Sequence, residues 1–359
     1  MIRKKRIRLS APGQAAFSSF QALVLLVVIA GAAVVVAVLL TGDHRGRSGS
    51  GLSPEFTYDI EKFRKVDPSL IRYKETATIE TGLREVRGLA VGPDDSLYVA
   101  GDMTVLRFDT QGNLKGETAL TDKPTCITLD RTGTLYIGFL RHVVVLNSEG
   151  KQLLRLEVPG SRAHLSSIAV NKDVIAVADA GNRVVLIYDR SGKLLRGIGK
   201  RDPSRNIPGL VIPSPYMDVA FAPDGLLRVA NTGRHLIEAY TLEGDREFAW
   251  GKPGTNIDRF CGCCNPAHFA ILPDGSFVTS EKGIVRVKIH EADGAFRCVV
   301  APPSLFSEQN KGHDLAVDSK GRVLVLDPGK RAVRIFAPKS SAGRKEAGGP
   351  SQEGKTKEP

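Results

Sequence analysis

Three of the chain's five cysteines, Cys261, Cys263 and Cys264, lie within four positions of the stretch FCGCCNP (Phe260–Pro266), and His268 follows four residues later. Three thiolates and an imidazole are a ligand set for zinc or cuprous copper. The spacing is tighter than a two-x-two zinc knuckle, because adjacent cysteines in extended chain point apart. The same thiols fit a second chemistry: a Cys261–Cys264 bond closes a small loop, and a Cys263–Cys264 bond makes a strained, easily reduced ring. Reduced cysteines packed without chemistry are the third reading. Which one applies depends on what positions the loop and which compartment it faces.

The positioning elements come from a repeat. Six segments share one pattern: a short apolar strand, a turn, a second strand, a second turn, a third strand ending in an acid or small polar residue, and a Gly turn. The clearest runs over Ser167–Gly199, beside a second over Asp218–Gly251; the others start at Gly88, Cys126, His268 and Asp314. Successive starts are 38, 41, 51, 50 and 46 residues apart. Strands rich in Val, Ile and Leu, broken by Gly, Asp and Asn, are the chemistry of hairpins. Four short antiparallel strands per 40–50 residues is the period of a propeller blade. The sixth unit has only three strands, and YKETATIE (Tyr73–Glu80) has no unit before it, so this segment is expected to close the ring as the outer strand of the last blade. The expected fold is an all-β, six-bladed propeller over 73–337.

In a propeller the innermost strands line a central channel. Aligning the units puts Gly88, Cys126, Ser167, Asp218, His268 and Asp314 at one level, preceded by Arg87, Thr125, Ser166, Met217, Ala267 and His313. Arg87, Asp218, His268, His313 and Asp314 are therefore the candidate ligand-binding residues of the channel mouth. Acids before an inner strand also serve as caps for backbone N–H groups. The cysteine loop feeds the fifth blade at the same mouth, where Cys126 stands as a partner for it across the opening. Asp102, Asp179 and Asp327 are expected to form turns, His142, His235 and His290 to lie at the surface, and Cys298 and Trp250 to pack in blades.

The stretch VADAGNRVVLIYDRSGKLLRGIG resembles a blade of the NHL-repeat family, with its Ala-Asp, Gly-Asn-Arg, apolar strand ending in Asp, and Gly turn; FAWGKPG resembles the family's connection between blades. The resemblance covers 73–337 and implies a six-bladed propeller. The family includes protein-binding and RNA-binding modules and a zinc-dependent lyase on peptide amides. Three central histidines would resemble that lyase's zinc site; here the ring offers His268 and His313, with His164 nearby. Fold alone does not choose among these activities.

Before the repeat, Ala22–Leu40 is nineteen residues without a charge, roughly 28 Å of helix and about one hydrocarbon core. Arg3, Lys4, Lys5, Arg6 and Arg8 precede it and Arg45 and Arg47 follow, which places the N-terminus in the cytoplasm and the rest outside. The expected organisation is a basic cytoplasmic segment (1–21), a transmembrane helix (22–40), a linker (41–72), the propeller (73–337) and a disordered tail (338–359). The localisation that follows is the inner, or plasma, membrane with a periplasmic propeller, a compartment that oxidises thiols. Residues 1–48 carry +6 and 338–359 carry +2 of the net +11, leaving +3 for the rest, too little for a nucleic-acid footprint. No Walker, GxGxxG, HExxH or GxSxG motif is present. The sequence points to a membrane-anchored scaffold binding a protein or small molecule at the mouth, with redox or metal handling through the cysteine loop. The alternative is a metal-dependent lyase or lactonase with a divalent metal in the channel.

Overall fold

The computed structural model describes residues 61–307 and 312–339. Six four-stranded antiparallel sheets make up this region, each running in sequence order from its inner strand outward, except the last. That sheet is ordered β22 (Leu315–Val317), β23 (Val323–Asp327), β24 (Ala332–Pro338) and β1 (Tyr73–Glu80), with β1 outermost. The closure expected of Tyr73–Glu80 is thus observed: Glu80 pairs Ala332, and Tyr73 pairs Pro338 across a bulge between Glu75 and Ala77. Arg334 adds a side-chain tie, its guanidinium reaching Glu75 at 2.6 Å and Asp327 at 3.3 Å.

The blades form because turn chemistry recurs, and the outer hairpins of the first three share one turn. Asp109, Asn147 and Asp189 each accept the N–H groups two and four residues ahead, at 2.8–3.1 Å. Gly112, Gly150 and Gly192 then take the positive φ that completes each turn. Burial follows strand rank. Val174–Asp179 and Val184–Asp189, the two middle strands of the third blade, are almost wholly buried, whereas its outer strand Leu194–Ile198 is exposed at four of five positions. The core consists of layers between neighbouring blades; one layer joins Ala176 and Val185 of the third blade to Val229 and Tyr240 of the fourth.

The expected linker is not free up to Tyr73. Ile71 bridges Val299 in parallel, and Arg72 N–H donates to Val299 O at 3.1 Å, docking the approach to β1 on the fifth blade. Among the described residues no helix is long and apolar enough to cross a membrane; the expected span Ala22–Leu40 and the tail beyond Lys339 lie outside the described residues.

Candidate functional site at the channel mouth

The inner strands are β2 (Val86–Val91), β6 (Cys126–Leu129), β10 (Leu165–Val170), β14 (Val219–Phe221), β18 (His268–Ile271) and β22. Their registers put the aligned residues at one level: Gly88 faces Ala100, Cys126 faces Gly138, Ser167 faces Ala178, and His268 faces Ser280. Asp218 and Asp314 accept with their carbonyls from Ala230 and Leu326 at the same level.

Three consecutive blades bring Asp218, His268 and Asp314 together. His268 Nδ1 lies 3.6 Å from Asp218 Oδ2 and 3.5 Å from Asp314 Oδ1. Both acids also hold backbone. Asp218 accepts Val219 N–H at 3.0 Å and Phe269 N–H of the next blade at 2.9 Å. Asp314 accepts Leu315 N–H at 2.9 Å and Leu89 N–H of the first blade at 2.8 Å. Ser167 Oγ donates to Asp218 Oδ1, joining the third blade to the group. The capping role and the site role therefore coexist, since each carboxylate oxygen has a second lone pair. Burial opposes charge on His268, but Asp218 and Asp314 outweigh it and raise the imidazole above its ordinary value. Burial, with Asp218 nearby, pushes Asp314 up to about 6, against the pull of His268.

Above this group opens a cavity of about 420 Å³, lined among others by Arg87, Thr125, His164, Tyr216, His268 and Asp314. A second space of about 290 Å³ continues along the inner strands past Cys126, Ser167, Asp218 and Asp314. Tyr216 stands edge-on to His268, with ring centres 5.6 Å apart. Nδ1 is directed at the acids, which leaves Nε2 for the cavity.

The residue before the aligned level behaves differently from blade to blade. Bulges at Val86/Gly88 and Leu165/Ser167 turn Arg87 and Ser166 to the mouth. His313 precedes a regular strand and is fully buried, its ring packed at a tilt against Phe306 with centres 4.5 Å apart. It is not a mouth residue, and burial pushes its pKa down to about 4. His290, expected at the surface, is also buried, among Trp250, Phe260 and Phe296.

The cysteine loop is clamped by groups the sequence reading passed over. Glu281 is fully buried with Arg286 and Lys288, at 2.7 and 2.8 Å. The two cations donate onward to the carbonyls of Thr255, Asn256, Ile257 and Arg259, and Glu281 accepts Cys261 N–H at 2.8 Å. Burial raises Glu281, but Lys288 and Arg286 outweigh it and hold the carboxyl below its usual range. Asn265, buried, donates to the carbonyls of Cys261 and Lys282 and accepts Lys282 N–H at 2.9 Å. Gly262 takes φ +84° inside the loop.

This clamp does not gather the thiols around a metal with His268. Among the described residues, the group whose ligand atoms all lie within 4.8 Å of one another is Asp218, His268 and Asp314, and no cysteine belongs to it. The chain turns Cys261 toward Glu281, while Cys263 is exposed and Cys264 buried. All five cysteines are free thiols. Cys126 is no partner across the mouth: its thiol packs on the second blade beside Thr125, and burial pushes it up to about 12. Asp179 and Asp327 do accept N–H groups of their own turns, whereas Asp102 accepts those of Arg84 and Glu85 just before the first inner strand; Cys298 and Trp250 are buried in blades.

Tyr216 and the Glu281–Arg286–Lys288 cluster are the functional-site residues the sequence reading missed. The one available signal for Tyr216 was the 51-residue spacing before the fourth blade, which marks a long Pro-rich loop at the mouth.

No family model matches the chain, and no curated protein matches it. Solved structures do. A streptogramin B lyase structure aligns at TM-score 0.54 and 11% identity, covering 74% of this chain and 98% of the lyase. Virginiamycin B lyase from Staphylococcus aureus aligns at TM-score 0.53 and 11% identity, covering 74% of this chain and 99% of the other. A catalytically inactive histidine-to-alanine variant of that enzyme, with quinupristin, aligns at 0.50 and 13%, covering 70% and 80%. At these identities the likeness establishes the six-bladed propeller fold.

Proposed function

We propose that this chain is a membrane-anchored, extracytoplasmic NHL-type propeller that binds a small polar ligand, or a polar group of a partner protein, in the channel mouth. The observation that carries this reading is His268, held by Asp218 and Asp314 under a cavity walled by Arg87, His164 and Tyr216. The walls offer mainly hydrogen-bond donors and one aromatic face, so they suit a ligand presenting acceptors on a planar body. The anchor and compartment rest on Ala22–Leu40 and the basic residues before it.

A screen of polar metabolites by thermal shift tests the binding role. Ligands that stabilise the wild-type protein and fail to stabilise His268→Ala and Arg87→Ala variants support it; ligands that stabilise all three equally place binding elsewhere. A reporter fused after Pro359 that is active only in the cytoplasm overturns the compartment.

The enzyme reading, a metal-dependent lyase or lactonase, draws on one specific observation: three ligand atoms within 4.8 Å at the base of the cavity. Stabilisation by zinc, manganese or magnesium that disappears in His268→Ala would favour it over simple binding.

A further inference from the structure

Cys263 and Cys264 stand apart from the mouth chemistry. Their sulfurs are 3.0 Å apart, one thiol donating to the other, about 1 Å beyond an S–S bond. Cys263 is exposed, and Cys264 is buried at 2% exposure against Ser214 and Lys282. The loop carrying them is fixed on both sides. Asn265 ties it to the turn at Lys282, and Glu281 holds Cys261 by its backbone. Cys261 itself is turned toward the Glu281–Arg286 pair.

We infer that Cys263 and Cys264 form a thiol–disulfide exchange site, entered at Cys263 and resolved by Cys264 to give a vicinal disulfide. The oxidant is a disulfide, R–S–S–R, of a small thiol or of a dithiol oxidoreductase. The Cys263 thiolate attacks one sulfur of it, forming Cys263–S–S–R and releasing RS⁻. The Cys264 thiolate then attacks Cys263 Sγ, the S–S bond between Cys263 Sγ and the sulfur bearing R breaks, and a second RS⁻ leaves. Two protons pass to the two released thiolates. The protein pair is oxidised by two electrons and one disulfide is reduced to two thiols. Exposure decides the order, because an incoming disulfide reaches Cys263 first. The clamp keeps the second sulfur in place for the resolving step. The site is separate from the ligand reading of the mouth, and its test does not depend on any mouth ligand.

The test uses the full-length protein in detergent, equilibrated with glutathione over a range of reduced-to-oxidised ratios. Remaining thiols are alkylated after acid quenching, and the peptide carrying residues 261–264 is mapped by mass. The expected oxidised peptide has Cys261 alkylated and lacks two hydrogens across Cys263 and Cys264; excess dithiothreitol restores three alkylated cysteines. Cys261→Ser should leave that pattern unchanged, and Cys264→Ser should accumulate glutathione on Cys263 because the resolving thiol is gone. Three alkylated cysteines at every ratio, a bond to Cys261, or a lasting glutathione adduct in the wild type would each overturn the inference. The wild-type map decides it even where a variant fails to fold.

Discussion

Asp314 Oδ2 accepts the N–H of Leu89 at 2.8 Å, so the last blade grips the first from inside the ring, 225 residues apart in sequence. On the outside the same seam is closed by β1, with Glu75 paired to Arg334 at 2.6 Å. Arg334 is 2% exposed and also meets Asp327. Replacing it by Ala removes the guanidinium from the buried Asp327 and from the partly exposed Glu75, a loss of about 3 kcal/mol carried mainly by the carboxylate left buried. Arg334→Ala should therefore lower the denaturant midpoint sharply, and Arg334→Lys should recover only part, because Lys cannot hold Glu75 through two nitrogens. Equal midpoints for wild type and Arg334→Ala in urea unfolding would show that the seam does not depend on this pair.

The ring was legible in the sequence because its signals are local. Val/Ile/Leu strands and Asp-x-x-Gly turns recur in the same order at spacings of 38 to 51 residues, and the surplus strand at Tyr73–Glu80 had only one place to go. The level of Asp218, His268 and Asp314 was legible for the same reason, since a shared register fixes it. His313 was misread because the residue before an inner strand does not face the same way in every blade. Arg87 and Ser166 reach the mouth at bulges and Thr125 reaches it without one, whereas His313 is packed inward against Phe306, a difference set by tertiary packing that the repeat pattern does not carry. Glu281, Arg286 and Lys288 were passed over for another reason. Three charges within eight residues of a strand pair look solvated, and only the loop folded over them makes them buried. His290 was expected at the surface, yet Trp250 of the fourth blade, Phe260 of the connecting loop and Phe296 of its own blade cover it.

His268 should titrate above its unfolded value, because Asp218 and Asp314 favour the imidazolium more than burial opposes it. With the folded pKa raised, its contribution to stability is fully present below about 6.5 and is lost as pH rises through the folded value. Asp314 acts in the same direction. Its pKa rises to about 6, so the native state loses stability relative to the unfolded chain between about 4 and about 6. The complete ion pair thus exists from about pH 6 up to the folded value of His268. Side-chain nitrogen NMR across pH should show His268 titrating above 6.5, and Asp314→Asn should bring it down. An imidazole that titrates identically in the Asn variant would remove Asp314 from the site's electrostatics.

Glu281→Gln should destabilise the protein by about 3 kcal/mol, since it leaves Arg286 and Lys288 buried without their carboxylate. Lys288 already sits at about 8, because burial outweighs the pull of Glu281. In the wild type the stability lost to Lys288 as pH falls from its unfolded value of 10.5 levels off near 8. Without Glu281 its folded value should drop further, so the variant's loss should continue below pH 8 while Lys288 stays neutral in the native state. Urea unfolding of both proteins at pH 6 and at pH 9 checks both points; a loss from pH 9 to pH 6 no larger than the wild type's would show that Lys288 does not depend on this carboxylate.

Asn265 makes the narrowest test of the loop's order. Its amide bonds to Cys261 O, Lys282 O and Lys282 N, and it is 1% exposed. Asn265→Ala leaves two carbonyls and one N–H buried without their partner, at a cost of about 2 kcal/mol. The loss is local, because these groups join the cysteine loop to one turn. Maleimide labelling of Cys264, slow in the wild type because the thiol is buried, should accelerate severalfold in the variant. Cys126 and Cys298, buried in other parts of the ring, should keep their wild-type rates. A parallel rise at all three cysteines would instead mean global unfolding, and an unchanged rate at Cys264 would mean that Asn265 does not hold the loop.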